Sequence, residues 1–257
     1  MRWLEENGVG MSVGPEPTHV DPLVSGAVVY DLLRGGDFKA RPDAEFGYQA
    51  MQNAKAGEVE QGNVGAGTGT RTGYQTFPLK GGIGTASVEL EGGIVVGAIA
   101  ALNAVGTPVD FADCGLRAAD LEIGGEFDPY RTPSREECDA AIEKANIDPE
   151  TGKPRANTTI GVVATNAGLD KDQAHRMAEA VARGHGAAIE PIHEINDGDT
   201  YFTLATGEIP AEQDRLQEIY DAAANAFARA IVHASLKAET VGEFVSYCNS
   251  FPSACGR

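Results

Sequence analysis

Between residues 213 and 237, apolar side chains recur at intervals of three and four: Leu216, Ile219, Tyr220, Ala223, Phe227, Ala230, Ile231 and Ala234. That is the period of a helix with one buried face, and the stripe reads as core. Shorter apolar runs bounded by glycine and polar turn residues predict strands at 25–30, 85–90, 93–103, 158–165 and 200–206. Glu91-Gly92 predicts a hairpin turn between the second and third of these. Arg41-Pro42-Asp43 opens a helix that ends near Gly57. Thr132-Pro133 starts a short helix, with a capping box on Ser134 and Glu137 as the alternative start. Residues 171–183 form a further helix, stopped by Gly184. Residues 2–7 have the character of the last turns of a helix ending at Gly8, which points to further sequence upstream. Residues 104–131 show no period and read as loops, and 146–157, with Pro149, Gly152 and Pro154, reads as an exposed loop. Helices mixed with hairpin strands, without an internal repeat, predict a layered α+β fold.

Composition narrows the class. The 257 residues suffice for one large domain, 1–257, with a substantial core. Aspartate and glutamate number 38 against 20 lysines and arginines, a net charge of −18 that disfavours binding to phosphate backbones, hence no nucleic-acid partner. The acids are spread along the chain, which fits equally a high-salt (halophilic) cytoplasm and an ordinary acidic soluble protein. The longest apolar run, 94–102, falls short of the roughly 20 residues that span a bilayer, so no membrane partner is expected. The start carries no secretory signal. Cys114, Cys138, Cys248 and Cys255 form no C-x-x-C pair, which leaves zinc unsupported and makes cytoplasmic free thiols the expectation, with a Cys248–Cys255 disulfide as the alternative.

Three stretches carry candidate chemistry. The glycine-rich run 62–69 lacks both the G-K-[ST] ending of a P-loop and the spacing of a dinucleotide fingerprint, so close backbone packing near a site is its better reading. Lys80-Gly81-Gly82-Ile83-Gly84-Thr85 is a second glycine-rich turn, carrying one lysine. Asn157-Thr158-Thr159-Ile160 joins a loop to a buried strand, a junction that can present a hydroxyl beside an accessible peptide bond. In His193-Glu194-Ile195-Asn196-Asp197-Gly198-Asp199-Thr200 two carboxylates flank a glycine, which suits a turn, an amine site or a cation, although no EF-hand frame follows.

Taken together and in this order, Gly62-Asn63-Val64-Gly65-Ala66-Gly67-Thr68-Gly69, Lys80-Gly81-Gly82-Ile83-Gly84-Thr85-Ala86-Ser87, Asn157-Thr158-Thr159-Ile160 and Asp197-Gly198-Asp199-Thr200 resemble the DmpA-like family of self-processing hydrolases. That family includes L-aminopeptidase/D-esterases, β-peptidyl aminopeptidases and nylon-oligomer hydrolases, and the resemblance runs from about residue 1 to 253. It implies an α/β/β/α sandwich, the type shared with ornithine acetyltransferases, here lacking the usual N-terminal segment. It further implies autocleavage of the Asn157–Thr158 bond into chains 1–157 and 158–257, with Thr158 as N-terminal nucleophile forming an acyl-enzyme.

The other roles carry over by position. Asn103 matches an oxyanion-hole asparagine, Tyr30 a site tyrosine, and Asp197 and Asp199 the acidic pair beside the nucleophile. Nylon-hydrolase relatives carry a lysine about where Tyr74 stands; Lys80 is the candidate here, as in the aminopeptidase branch. The implied substrate is a small peptide or linear amide, the implied assembly a homo-oligomer, and no cofactor or metal is implied. Two other readings stand beside this one: an acyltransferase of the ornithine acetyltransferase type, and an unprocessed, non-catalytic truncated member.

Overall fold

The computed structural model of the protein describes residues 1–73, 77–147 and 157–256. Tyr74 and most of the expected loop at 146–157 lie outside them. The chain forms two compact units, one of residues 1–27 and 32–59, the other of residues 28–31 and 60–257.

The smaller unit holds helix α1 (Arg2–Glu6), a two-stranded ribbon of β1 (Met11–Ser12) and β2 (Val20–Asp21), and helix α2 (Ala44–Asn53). Helix α2 starts later and ends earlier than expected. Asp43 is its cap, its carboxylate accepting from the Glu45 and Phe46 N–H groups, while Ala54 is already extended. Within this unit Arg2 pairs with Glu45 at 3.1 Å and the Tyr48 hydroxyl donates to Glu6 at 2.6 Å. The buried strand expected at 25–30 does not form: the segment has no ladder partner, and Val28 is 85% exposed.

The larger unit begins with a ribbon of β3 (Arg71–Thr72) and β4 (Leu79–Lys80). Its main sheet comprises β5 (Ile83–Glu89), β6 (Val95–Ala101), β7 (Ile160–Gly168) and β8 (Thr200–Pro210), in that spatial order. The first three are antiparallel neighbours and β7–β8 is parallel. A parallel neighbour requires a crossover, and α4 (Lys171–Ala188) provides it. Helices α3 (Arg135–Ile147), α5 (Leu216–Lys237) and α6 (Tyr247–Ser250) complete the unit. Of the two starts offered for α3, the structure uses Ser134, whose hydroxyl accepts from the Glu137 N–H at 3.3 Å.

The α+β layered class is as expected. Of the four layers the resemblance implies, the described residues supply one helix layer and one four-stranded sheet. Helices α4 and α5 cover one face of that sheet, and along β7 every second residue is buried, the alternation of a strand with one covered face. The α5 stripe is core: Ile219, Ala223, Phe227, Ala230, Ile231 and Ala234 are all fully buried. Each large apolar side chain buried this way contributes about 1.5–3 kcal/mol.

Gly184 does not stop α4. The helix runs on to Ala188, and a Cβ at Gly184 would lie 2.0 Å from the Ala224 carbonyl oxygen of α5. The glycine is there to let two helices touch. Gly67 acts likewise in the glycine-rich run, where a Cβ would lie 2.4 Å from the Gly62 oxygen and 2.7 Å from the Ile83 nitrogen; the run is packed backbone against the start of β5.

The thiol expectation fails. Cys114–Cys138 and Cys248–Cys255 are both disulfides, with Cα atoms 5.4 and 5.5 Å apart. The first joins residues 24 apart in sequence, a proximity only the fold creates. No helix among the described residues is long and apolar enough to cross a membrane.

Candidate active site

The register of β6 with β7 locates the site. Ala101 pairs with Ile160, and the same pairing continues two residues further, where the Thr158 N–H donates to the Asn103 carbonyl at 2.7 Å. On the opposite side, Asn157 bridges in parallel to Asp197. The Asn157 N–H donates to the Asn196 carbonyl at 3.0 Å, and the Gly198 N–H donates to the Asn157 carbonyl at 2.9 Å. The Asn157 side-chain amide donates to Ala104 O at 2.7 Å. The intact Asn157–Thr158 peptide is thereby held at its nitrogen and at its oxygen. Into this frame the Thr158 hydroxyl turns back, donating to the Asn157 carbonyl at 2.5 Å. Thr158 is 8% exposed and Thr159 fully buried.

Asn103 faces the same peptide from the end of β6. Its Oδ1 accepts from the Arg71 N–H at 3.1 Å, and its Nδ2 donates to the Tyr30 carbonyl at 3.3 Å. Tyr30 therefore reaches the site through its backbone. Lys80, also buried, pairs across the β3–β4 ribbon with Arg71. Its ammonium donates to the carbonyls of Gly67 at 2.6 Å and Gly81 at 2.8 Å, which puts it one residue removed from the Asn103 contact.

The acidic pair divides its work. Asp197 Oδ1 accepts from the Val105 N–H at 3.0 Å, while Oδ2 is buried without a hydrogen-bond partner. Burial, and then the charge of Asp199, push the Asp197 carboxyl up to about 6. Asp199 Oδ1 accepts from the Thr159 N–H at 2.8 Å. Its Oδ2 meets His193 Nδ1 at 3.0 Å and His185 Nδ1 at 3.7 Å. The Tyr201 hydroxyl lies 2.6 Å from His185 Nδ1 and 3.5 Å from His193 Nε2. Burial lowers His185 to about 4, so its imidazole is neutral, and burial together with Asp199 raises the Tyr201 phenol. Phe227 closes the cluster from α5 with edge contacts to both rings.

Thr158, Asn157, Asn103, Asp197 and Asp199 thus converge, with Tyr30 and Lys80 joined to them through Asn103 and its neighbours. Sequence reasoning missed His185, His193 and Tyr201. Tyr201 had a signal: two residues beyond Asp199 on a strand, it shares that residue's face. His185 lies on α4 and His193 in the α4–β8 connection, and no spacing announces them. His185, His193 and Asp199 offer ligand atoms within 4.8 Å of one another; in the structure His193 is hydrogen-bonded to Asp199, while His185 is hydrogen-bonded to Tyr201 and lies 3.7 Å from Asp199. A cavity of about 870 Å³ beside α3, lined by Phe77, Glu137, Lys144 and Val245, contains none of the site residues.

Comparison with known proteins matches residues 1–246 to the model of peptidase family S58. An uncharacterized aminopeptidase of Mycobacterium leprae is 41% identical over 277 aligned residues, covering 100% of this chain and 72% of the relative. A 6-aminohexanoate-oligomer endohydrolase of Paenarthrobacter ureafaciens is 32% identical over 195 residues, covering 73% of this chain and 51% of that one. Among solved structures, the L-aminopeptidase D-Ala-esterase/amidase of Ochrobactrum anthropi, a variant of the Ntn-hydrolase fold, superposes with a TM-score of 0.55 at 24% identity. That match covers 80% of this chain and 54% of the neighbour, so the chain spans about half the length of the solved structure it resembles.

Proposed function

The chain belongs to peptidase family S58, and from that premise we propose that it is an N-terminal-nucleophile amide hydrolase of aminopeptidase type that activates itself by cutting Asn157–Thr158. One observation carries the reading: the carbonyl of that bond accepts from both the Gly198 N–H and the Thr158 hydroxyl. Thr158 Oγ1 attacks the Asn157 carbonyl carbon. The oxygen gains negative charge against the Gly198 N–H, a donor already in place. The C–N bond breaks, the hydroxyl proton passes to the leaving nitrogen, and an ester joins Asn157 to Thr158 Oγ1. Water then cleaves the ester, leaving a carboxylate on Asn157 and a free amine on Thr158.

That α-amine, with a reference pKa of about 8, is the base for its own hydroxyl in the second reaction. Thr158 attacks the substrate carbonyl, the amine of the substrate leaves, and water resolves the acyl-enzyme. The Asn103 amide is the oxyanion donor for this step, and the unpartnered Asp197 Oδ2 is the acceptor for the new ammonium. The names of the relatives, aminopeptidase and 6-aminohexanoate-oligomer endohydrolase, support a small peptide or linear amide as substrate.

The test is a mass spectrum of folded protein after prolonged incubation. Two associated chains, one ending at Asn157 and one beginning at Thr158, are expected. Thr158→Ala stays a single chain, and the mature wild type releases chromophore from amino-acid anilides. Wild-type protein that is folded yet remains one chain refutes the reading.

A further inference from the structure

Asp199 is the residue through which the site holds the backbone just beyond Thr158, and its carboxylate has two oxygens with different tasks. Oδ1 takes the Thr159 N–H. Oδ2 takes both the ring Nδ1 of His193 at 3.0 Å and the His193 backbone N–H at 3.4 Å. On the inner side, His185 stands 3.7 Å from the same oxygen, fully buried and joined to Tyr201. The outer wall is His193, whose side chain is 45% exposed while that of Asp199 is 1% exposed. His193 also adopts a left-handed backbone, φ 55°, which a residue with a Cβ avoids unless its surroundings demand it. That conformation is what directs ring and amide toward one carboxylate oxygen.

We propose that His193 is a positioning residue of the site: by donating from Nδ1 and the backbone to Asp199 Oδ2, it fixes the rotation of the carboxylate and so the register of Thr159 and the nucleophile before it. The inference rests on Thr158 being the nucleophile, and goes beyond it by giving a role to a residue outside the reacting set. Without the ring, only the longer 3.4 Å backbone N–H bond of His193 holds Asp199 Oδ2 from that side, so the carboxylate turns more readily about χ2, the Thr159 N–H loses a fixed acceptor, and Thr158 loses its aim at the Asn157 carbonyl.

Two substitutions separate hydrogen bond from backbone. His193→Gly accepts the left-handed conformation but has no ring donor. His193→Asn also tolerates that conformation, and its amide nitrogen occupies the place of the ring Nδ1. With melting temperatures confirming that both fold, self-cleavage is expected to slow by about tenfold or more in His193→Gly, the loss expected of one hydrogen bond to a charged group. His193→Asn is expected to stay within about threefold of wild type, since it keeps that bond. The same pair of substitutions in a Thr158→Ala background is read by hydrogen exchange at the Thr159 amide. Exchange should accelerate with Gly and remain slow with Asn. Wild-type cleavage and a protected Thr159 amide in His193→Gly overturn the proposal, as does Asn behaving like Gly. If wild-type protein never cleaves, the reading of Thr158 falls, and the exchange measurement alone decides whether His193 positions this backbone.

Discussion

Gly198→Ala is expected to separate folding from chemistry with a single methyl. Gly198 is not in the left-handed region, so alanine fits its backbone. Removing a glycine from the unfolded chain stabilises by about 0.4–1 kcal/mol at such a position. Yet the new Cβ would lie 2.9 Å from Thr158 Oγ1 and 3.8 Å from the Asn157 carbonyl oxygen. A carbon and an oxygen settle near 3.4 Å or beyond, so the hydroxyl must withdraw by about half an ångström or rotate to another staggered well. Either motion takes it off the carbonyl it now contacts. The half-ångström withdrawal and the larger swing of a rotamer change bracket a misplacement of about 1 Å, which at a reacting atom costs about a hundredfold in rate, about 2.7 kcal/mol in the barrier. The assay is the time course of bands 1–157 and 158–257 on denaturing gels from freshly folded protein near neutral pH. The expected result is a melting temperature equal to or above that of wild type, with cleavage slowed about a hundredfold. Cleavage at the wild-type rate would refute the argument, because the methyl cannot coexist with the observed position of the hydroxyl.

Asp197→Asn tests the raised carboxyl. Its pKa of about 6 stands above the unfolded 3.8, so the folded chain holds this proton more tightly and wild-type stability falls as pH rises through that window. In uncleaved Thr158→Ala protein, the melting temperature of Asp197→Asn relative to its parent should therefore rise from pH 4 to pH 7; no relative gain would return Asp197 to an ordinary surface carboxylate. In cleaved enzyme the same change should lower the acidic-limb pKa of kcat, since a carboxylate beside the Thr158 ammonium raises the pKa of the amine. Glu126 gives the structural counterpart: it accepts from buried Arg229 at 2.7 Å and meets His233 at 3.1 Å. Burial acts to raise its pKa, but the hydrogen bonds from Arg229, the Ile123 N–H and His233 outweigh it and hold it below the ordinary value. Glu126→Ala leaves the buried guanidinium charge without its carboxylate, though still donating to the Ser87 carbonyl and Asn225, and should cost about 3 kcal/mol, read by urea unfolding; a cost below about 1 kcal/mol would mean that these neutral partners and solvent suffice for Arg229.

The parts of the fold legible in the sequence are those with local causes. The α5 stripe, the β5–β6 hairpin and the strand–helix–strand order of β7, α4 and β8 follow from period and turn residues, whereas the parallel pairing of β7 with β8 has no local signal. Gly184 was misread because a glycine late in a helix looks the same whether it ends the helix or admits a neighbour; only the position of Ala224 distinguishes them. The run at 25–30 is apolar enough for a strand, yet a strand needs a partner, which periodicity does not supply. The Cys114–Cys138 pair was hidden for the same reason, whereas Cys248–Cys255, seven residues apart, was offered as the alternative to free thiols. At the site, Thr158, Asn103, Asp197 and Asp199 were legible through ordered motifs shared with a family. Spacing alone left each as turn or strand residues. His185 could not be found that way, because it meets Asp199 only after α4 has crossed the sheet; His193 is six residues before Asp199, but no motif marks its ring as a partner.

The order of the main sheet has a consequence for what the two halves would be to one another. Strands β5 and β6 precede residue 157, and β7 and β8 follow it. A cut there divides the sheet between β6 and β7, along six registered pairs from Val96↔Thr165 to Ala101↔Ile160. Helix α5, from the second half, lies over β5 and β6 of the first. The products of such a cut would therefore not be subunits that meet across a surface. Each would be the inside of the other, and neither could trade partners with a second molecule without giving up its own core.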